Sequence, residues 1–206
     1  MQTKSPNLVK MQLQRNTNKT YIYLSYVSAL LKLIFVSPFY FIFIGSYIRI
    51  ALTANDNNVL QFASKCLGRL AKIGGTLSAE LIDSQLKRSL EWLSQTERSE
   101  HRKLSAVLVL REIAIATPTI FNVHVGAFVE DVWEALREQN QMIRDTAVEA
   151  VRACLDVIAE RQNSLSSQWY NMLWMEAQKG MKQNKDSLPA LHAGLQVVGE
   201  KLRWFG

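Results

Sequence analysis

The stretch RKLSAVLVLREIAIATPT, residues 102–119, predicts the amphipathic helix around which the fold is built. Thr117 precedes Pro118, and a residue before proline is disfavoured in the helical region, so we expect the helix to end there. A helix with so broad an apolar face is not stable alone in water and must pack against others. Its apolar positions recur at helical spacing: Leu104, Val107, Leu108, Leu110, Ile113, Ala114 and Ile115.

The composition favours an ordered, all-α protein. Of the 206 residues, 48% are hydrophobic and 20% are charged, and only nine are glycine and four proline. This balance is typical of chains that bury a core, and the alternation expected of β-strands is hard to find. The length suits one domain of ordinary size or a short run of repeats.

The net charge of +6 comes from the beginning of the chain. Six basic residues precede the first acidic residue, Asp56, and the 18 that follow are matched by 18 acidic residues. Residues 56–206 are therefore neutral overall, so we predict no basic face there and no nucleic-acid partner. The six early basic residues are Lys4, Lys10, Arg15, Lys19, Lys32 and Arg49.

Four predicted helices share one internal pattern, which starts 43, 41 and 47 residues apart. Each has a small residue followed four positions later by a large aliphatic one. The small residue lets the next helix approach closely, and the aliphatic residue lies on the same face and fills the groove. The pairs are Ala63 and Leu67, Ala106 and Leu110, Ala147 and Val151, and Gly194 and Val198, followed three positions on by Leu70, Ile113, Cys154 and, breaking the pattern, Lys201.

A period of this length with two helices per unit is typical of HEAT and armadillo repeats. We therefore predict an all-α solenoid of three to four helical hairpins over residues 51–206, because one hairpin cannot bury its apolar face without neighbours. The helix at 102–117 is expected to be the second helix of a central hairpin. The alternate helices, 78–93, 119–137 and 166–183, are expected to form the other layer.

The beginning of the chain has a different character. Residues 1–20 are polar and basic and predict a disordered tail. Residues 21–50 contain only two charged residues and are long enough to span a bilayer, so this apolar segment is a candidate membrane anchor. Pro38 divides it into halves too short to cross alone, which favours the alternative of two buried helices.

No pattern of an active site emerges from the sequence. His101, His124 and His192 lie far apart, without the spacing of metal ligands. Gly74-Gly75 matches no phosphate-binding loop and is typical of a helix end. We predict no catalytic, cofactor-binding or metal-binding residue, no cofactor and no small-molecule substrate.

The cysteines and tryptophans are expected to serve packing. Cys66 and Cys154 lie within apolar helical patterns and are predicted to be free thiols, which suits a reducing compartment. The aromatic residues Trp169, Tyr170 and Trp174 occupy a more polar helix, where an exposed aromatic edge would indicate an interface.

Six segments of the chain carry a resemblance that goes beyond its periodicity. They are LGRLA at 67–71, KRSLEWL at 87–93, SAVLVLREIAIATPT at 105–119, IRDTAVEAVRACL at 143–155, QWY at 168–170 and EAQKG at 176–180. In order and spacing, from about residue 46 to 198, the chain resembles the N-terminal HEAT region of the target-of-rapamycin (TOR) serine/threonine kinases. By this resemblance, it is a fragment of a TOR-like kinase and a scaffold for the TOR-complex regulatory subunits in nutrient and growth signalling.

The chain departs from the family pattern in two respects. The family's kinase motifs (a Gly-rich loop, a His-Arg-Asp loop and Asp-Phe-Gly) are absent from this sequence, so we expect no catalysis from this chain. Residues 1–45 resemble nothing in the family and are interpreted as an off-family leader. A family member would be cytoplasmic and partly associated with endomembranes. The alternatives are a membrane-anchored adaptor, held by residues 21–50, and a HEAT-repeat adaptor unrelated to TOR.

Overall fold

Every regular element that the structure describes is an α-helix. The structure is a computed structural model, and it places no strand in its described ranges, in agreement with the prediction of an all-α fold. Those ranges are residues 38–74, 76–95, 99–161, 165–182 and 188–205.

The helices follow one another with short connections. The chain divides into two compact units, residues 1–43 and 44–206; the first helix crosses this boundary, and the later ones all belong to the second unit. In chain order the helices are α1 (Pro38–Ala51), α2 (Asn57–Gly74), α3 (Thr76–Ser94), α4 (Glu100–Ala116), α5 (Pro118–Asn122), α6 (Val125–Leu136), α7 (Gln141–Arg161), α8 (Ser166–Lys182) and α9 (Leu188–Phe205).

The long helices of the second unit form the two layers of a solenoid. Helices α2, α4, α7 and α9 pack in succession in one layer, and α3, α6 and α8 pack in succession in the other. Hairpin partners join the layers, α3 with α4, α6 with α7 and α8 with α9. The prediction that α4 is the second helix of a hairpin is therefore confirmed, with α2 packed on one side of α4 and the α6–α7 hairpin on the other.

The repeated packing pattern forms the core of the solenoid. Ala63, Ala106 and Ala147 are buried, as are the aliphatic residues four positions after each of them. In α9 the buried pair is instead Ala193 and Val197, one residue earlier than predicted. The register shifts because Gly194 faces the hairpin partner α8, where a Cβ would lie 2.8 Å from the Ala177 carbonyl oxygen.

The predicted helix at 119–137 is divided in two. Proline is favoured at the first position of a helix, and Pro118 accordingly begins the short α5. The His124 N–H then donates to the carbonyl of Phe121 at 2.8 Å and closes a tight four-residue turn, which ends α5 before α6 begins at Val125. Phe121 and Phe128 remain packed across this break, with ring centroids 5.4 Å apart in an edge-to-face arrangement.

The candidate membrane segment receives no support from the described helices. Residues 1–20 and 21–37 lie outside the described ranges, and α1 begins at Pro38, which fits the preference of proline for a first helical turn. None of the helices in the described part of the chain combines the length and the apolar character that crossing a membrane requires.

Candidate interaction surface

Ion pairs connect α4 to α7 and α7 to α9 in one layer of the solenoid. Arg111 of α4 donates to Glu149 of α7 and, at 2.7 Å, to its neighbour Glu112. In the next step of the stack, Arg152 of α7 donates from Nε and Nη2 to both carboxylate oxygens of Glu200 in α9, at 2.7 and 2.6 Å. These bonds from Arg152 hold the pKa of the Glu200 carboxyl below its usual range. The charges on this layer thus fix one helix against the next.

A second group of polar contacts lies where α6 turns into α7. Lys103 of α4 donates to Glu138 at 2.5 Å, and Asn140 donates to Glu100 at 2.7 Å. Burial acts to raise the pKa of Glu138, but bonds from Lys103 and from the Gln139 N–H outweigh burial and hold this pKa below its usual range. The turn is therefore anchored to the beginning of α4.

The three histidines occupy separate places in the solenoid. His101 lies in α4, His192 in α9, and His124 between α5 and α6, where its Nε2 lies 2.8 Å from Oδ1 of Asp83 in α3. Lys87 and then His124 lower the pKa of Asp83 by hydrogen bonding to it. His124 thus connects neighbouring helices of the second layer. The part of the chain that the structure describes contains no group of His, Cys, Asp and Glu side chains placed to hold a metal ion.

Both cysteines are free thiols within helices. Cys154 is buried and Cys66 is half-buried. Burial raises the pKa of each thiol, because the charged thiolate loses its hydration inside the protein. Since the thiolate is the reactive form, these environments make both cysteines poor nucleophiles.

The aromatic edge predicted on α8 is narrower than the sequence indicated. Trp169 is buried against α6, where a Cβ at Gly126 would lie 3.7 Å from its indole nitrogen, so it serves packing. Trp174 is exposed, and the Lys201 ammonium lies 5.0 Å from its ring centroid. The neighbouring Met175 is also exposed.

A regular apolar surface lies on α9. Leu188, Leu195 and Leu202, here called the leucine stripe, are 73%, 55% and 65% exposed. They are seven residues apart and therefore align along one side of the helix. The opposite side carries the buried Ala193 and Val197, so α9 has one apolar face inside the stack and another outside it. The heptad spacing was visible in the sequence, but the repeat pattern alone assigned α9 a single packed face.

Gly199 lies beside the stripe. A Cβ at this position would have no neighbour within 4 Å among the described residues. The surface of α9 is thus indented next to the leucines, which suits the close approach of another helix.

Comparison with known proteins identifies relatives of one kind. No protein-family model matches the chain. It is similar to the serine/threonine-protein kinase TOR of Oryza sativa subsp. japonica, with 45% identity over 148 residues, and to that of Arabidopsis thaliana, with 40% over 148 residues. Each match covers 72% of this chain and 6% of the relative. The match to the serine/threonine-protein kinase tor1 of Schizosaccharomyces pombe has 33% identity over 156 residues and covers 76% of this chain and 7% of the relative.

Proposed function

We propose that this chain, a homologue of the TOR serine/threonine kinases over 72% or more of its length, is a scaffold module that binds protein partners through the exposed face of α9. The chain spans only 6–7% of the length of these relatives, so their kinase activity is not carried over to it. Its own contribution is the presentation of a surface on a stack of helices, without covalent chemistry.

One observation carries the proposal: the leucine stripe lies on a helix whose opposite face is already packed. A monomeric protein rarely exposes a row of large aliphatic side chains unless a partner covers them. Stripes with this spacing bind the apolar face of another helix, which takes the leucines into its grooves. The occupant we propose is therefore an amphipathic helix.

The resemblance to TOR suggests where this helix comes from. In the family, the HEAT solenoid is a scaffold for the regulatory subunits of the TOR complex, which act in nutrient and growth signalling. We place the chain in the same setting, in the cytoplasm and in part at endomembranes, with those subunits as its partners.

The test compares charged substitutions inside and outside the stripe. The tagged full chain and its variants are mixed with purified TOR-complex regulatory subunits, and retention on resin is measured. We expect Leu195→Glu and Leu202→Glu to abolish retention, because a carboxylate in the contact would be desolvated without a partner. Val123→Glu, at an exposed position between α5 and α6, should retain the subunits. Equal retention by all variants would show that α9 is not the docking face.

A further inference from the structure

Two arginine side chains lie against the ring of a buried tryptophan in the solenoid. The Trp92 ring is buried in α3, and the guanidinium carbon of Arg88, one turn earlier, lies 4.3 Å from the ring centroid. The guanidinium carbon of Arg102, from the first turns of α4, lies 5.9 Å from the same centroid. The aromatic face holds both cations by cation–π attraction, and a stacked guanidinium keeps the N–H donors on its edge available.

A third arginine approaches from the end of α1. Ser105 Oγ of α4 donates to the Leu52 carbonyl at 2.8 Å, which fixes the end of α1 against α4. Arg49 lies one turn before Leu52, and Arg102 lies one turn before Ser105. The pKa of the Arg88 guanidinium is lowered, first by its partial burial and then by the like charges of Arg49 and Arg102. Arg49, Arg88 and Arg102, here called the arginine cluster, therefore concentrate positive charge in one place.

The arginine cluster differs from the arginines that stabilise the stack. Arg111 and Arg152 each pair with carboxylates. Within the described ranges, no carboxylate forms an ion pair with any member of the cluster, although the charge of Glu91, one turn after Arg88, acts on Arg88 from farther away. Like charges brought together without a counterion destabilise one another, and a bound anion would relieve this repulsion.

We propose that the arginine cluster binds the phosphate group of a phosphoserine or phosphothreonine in a protein partner. A guanidinium matches phosphate with two parallel hydrogen bonds, and a phosphate ester at neutral pH carries close to two negative charges. A dianion suits the two guanidinium groups at Trp92, together with the nearby charge of Arg49, better than a single carboxylate does. The inference goes beyond the proposed scaffold function and does not depend on the TOR relationship.

The arrangement of the charges favours a phosphorylated protein segment over a membrane surface. Anionic membranes attract basic residues that are spread over a wide face. Here two arginines lie against one ring and the charge of Arg49 acts on one of them, while residues 56–206 as a whole carry equal numbers of basic and acidic residues. A site of this kind binds a single phosphate group.

The test uses the full chain and an alanine-flanked phosphoserine peptide, with the unphosphorylated peptide as the first control. Binding is measured by calorimetry. We expect binding of the phosphorylated peptide alone and a loss of affinity of about tenfold or more for Arg88→Gln and for Arg102→Gln, since each removes a charge-assisted contact. Arg203→Gln is the matched control: it removes the same charge from an exposed position on α9, and it should bind the phosphorylated peptide as the unaltered chain does.

Several results would overturn the inference. They are equal binding of the two peptides, an equal loss in Arg203→Gln, or full affinity in an Arg88→Gln/Arg102→Gln double variant. Binding of inorganic phosphate, or of phosphatidylcholine vesicles that contain phosphatidylinositol phosphate, without binding of the peptide would reject a protein source. Circular dichroism checks folding. If Arg88→Gln unfolds, Arg102→Gln and Arg49→Gln, which change exposed residues, replace it, and full affinity in both would overturn the inference.

Discussion

The hydroxyl of Ser105 in α4 donates a hydrogen bond at 2.8 Å to the carbonyl of Leu52, which lies 53 positions earlier, just after α1. Both residues are buried. The carbonyl groups at a helix end have no partner within the helix, and one buried without a bond would lose its hydration. This contact satisfies such a carbonyl and fixes the end of α1 beside the central helix.

Removing the Ser105 hydroxyl should therefore destabilise the protein. We expect Ser105→Ala to lower the free energy of unfolding by about 1–3 kcal/mol, because the Leu52 carbonyl would remain buried without its donor. Urea denaturation followed by circular dichroism measures the change. Ser94→Ala, which removes an exposed hydroxyl bonded within its own helix, is the control and should change stability by about 0.5 kcal/mol or less. Equal midpoints for the two variants would contradict the prediction.

The contact between α8 and α9 depends on Gly194. A Cβ at this position would lie 2.8 Å from the Ala177 backbone oxygen, so Gly194→Ala should force the helices apart and cost about 1–3 kcal/mol. Gly199→Ala, in the same helix but in open space, should instead gain up to about 1 kcal/mol from helix propensity. Thermal melting of both variants measures the effects, and a change of the same sign in both would refute the close approach.

The repeat pattern makes a similar prediction for the centre of the stack. Ala106 is fully buried in α4, and Ala106→Leu should overpack the contact with neighbouring helices at a cost of about 1–3 kcal/mol. The same substitution at Ala116, at the half-buried end of α4, should cost less. Denaturation midpoints measure both changes. If both variants melt together, Ala106 does not limit the approach of the helices.

The Arg152–Glu200 pair predicts an acid-dependent loss of stability between α7 and α9. The pKa of Glu200 is lower in the folded protein than its ordinary value of 4.5, so folding favours the ionised form. Its contribution to stability is thus present above about pH 4.5 and is lost as the pH falls through the folded-state pKa. Unfolding measured across this range should be less pH-dependent in Glu200→Gln. An unchanged pH profile in the variant would show that the pair contributes nothing.

Much of the fold followed from local pattern. Helical periodicity depends on which residues are apolar over one or two turns, and the apolar spacing around Ala106 and Leu110 is clearly helical. The predicted layers, and the buried columns in α2, α4 and α7, were confirmed for the same reason, whereas the pair in α9 lies one residue earlier than predicted. Periodicity was less informative where turns are tight, as at Val123 and His124, because a short break leaves the apolar spacing almost unchanged.

The sequence by itself determined that the chain is a stack of amphipathic helices, since the burial of apolar stripes follows from their spacing. Only the tertiary structure decided which charged and apolar side chains remain on its surface, and where. The rotation of α9, set by Gly194 against α8, turns the leucine stripe outward. The bond between Ser105 and Leu52 holds the end of α1, which carries Arg49, against α4, which carries Arg102. Such contacts depend on how helices that are distant in sequence pack together, and a local sequence pattern does not predict this packing.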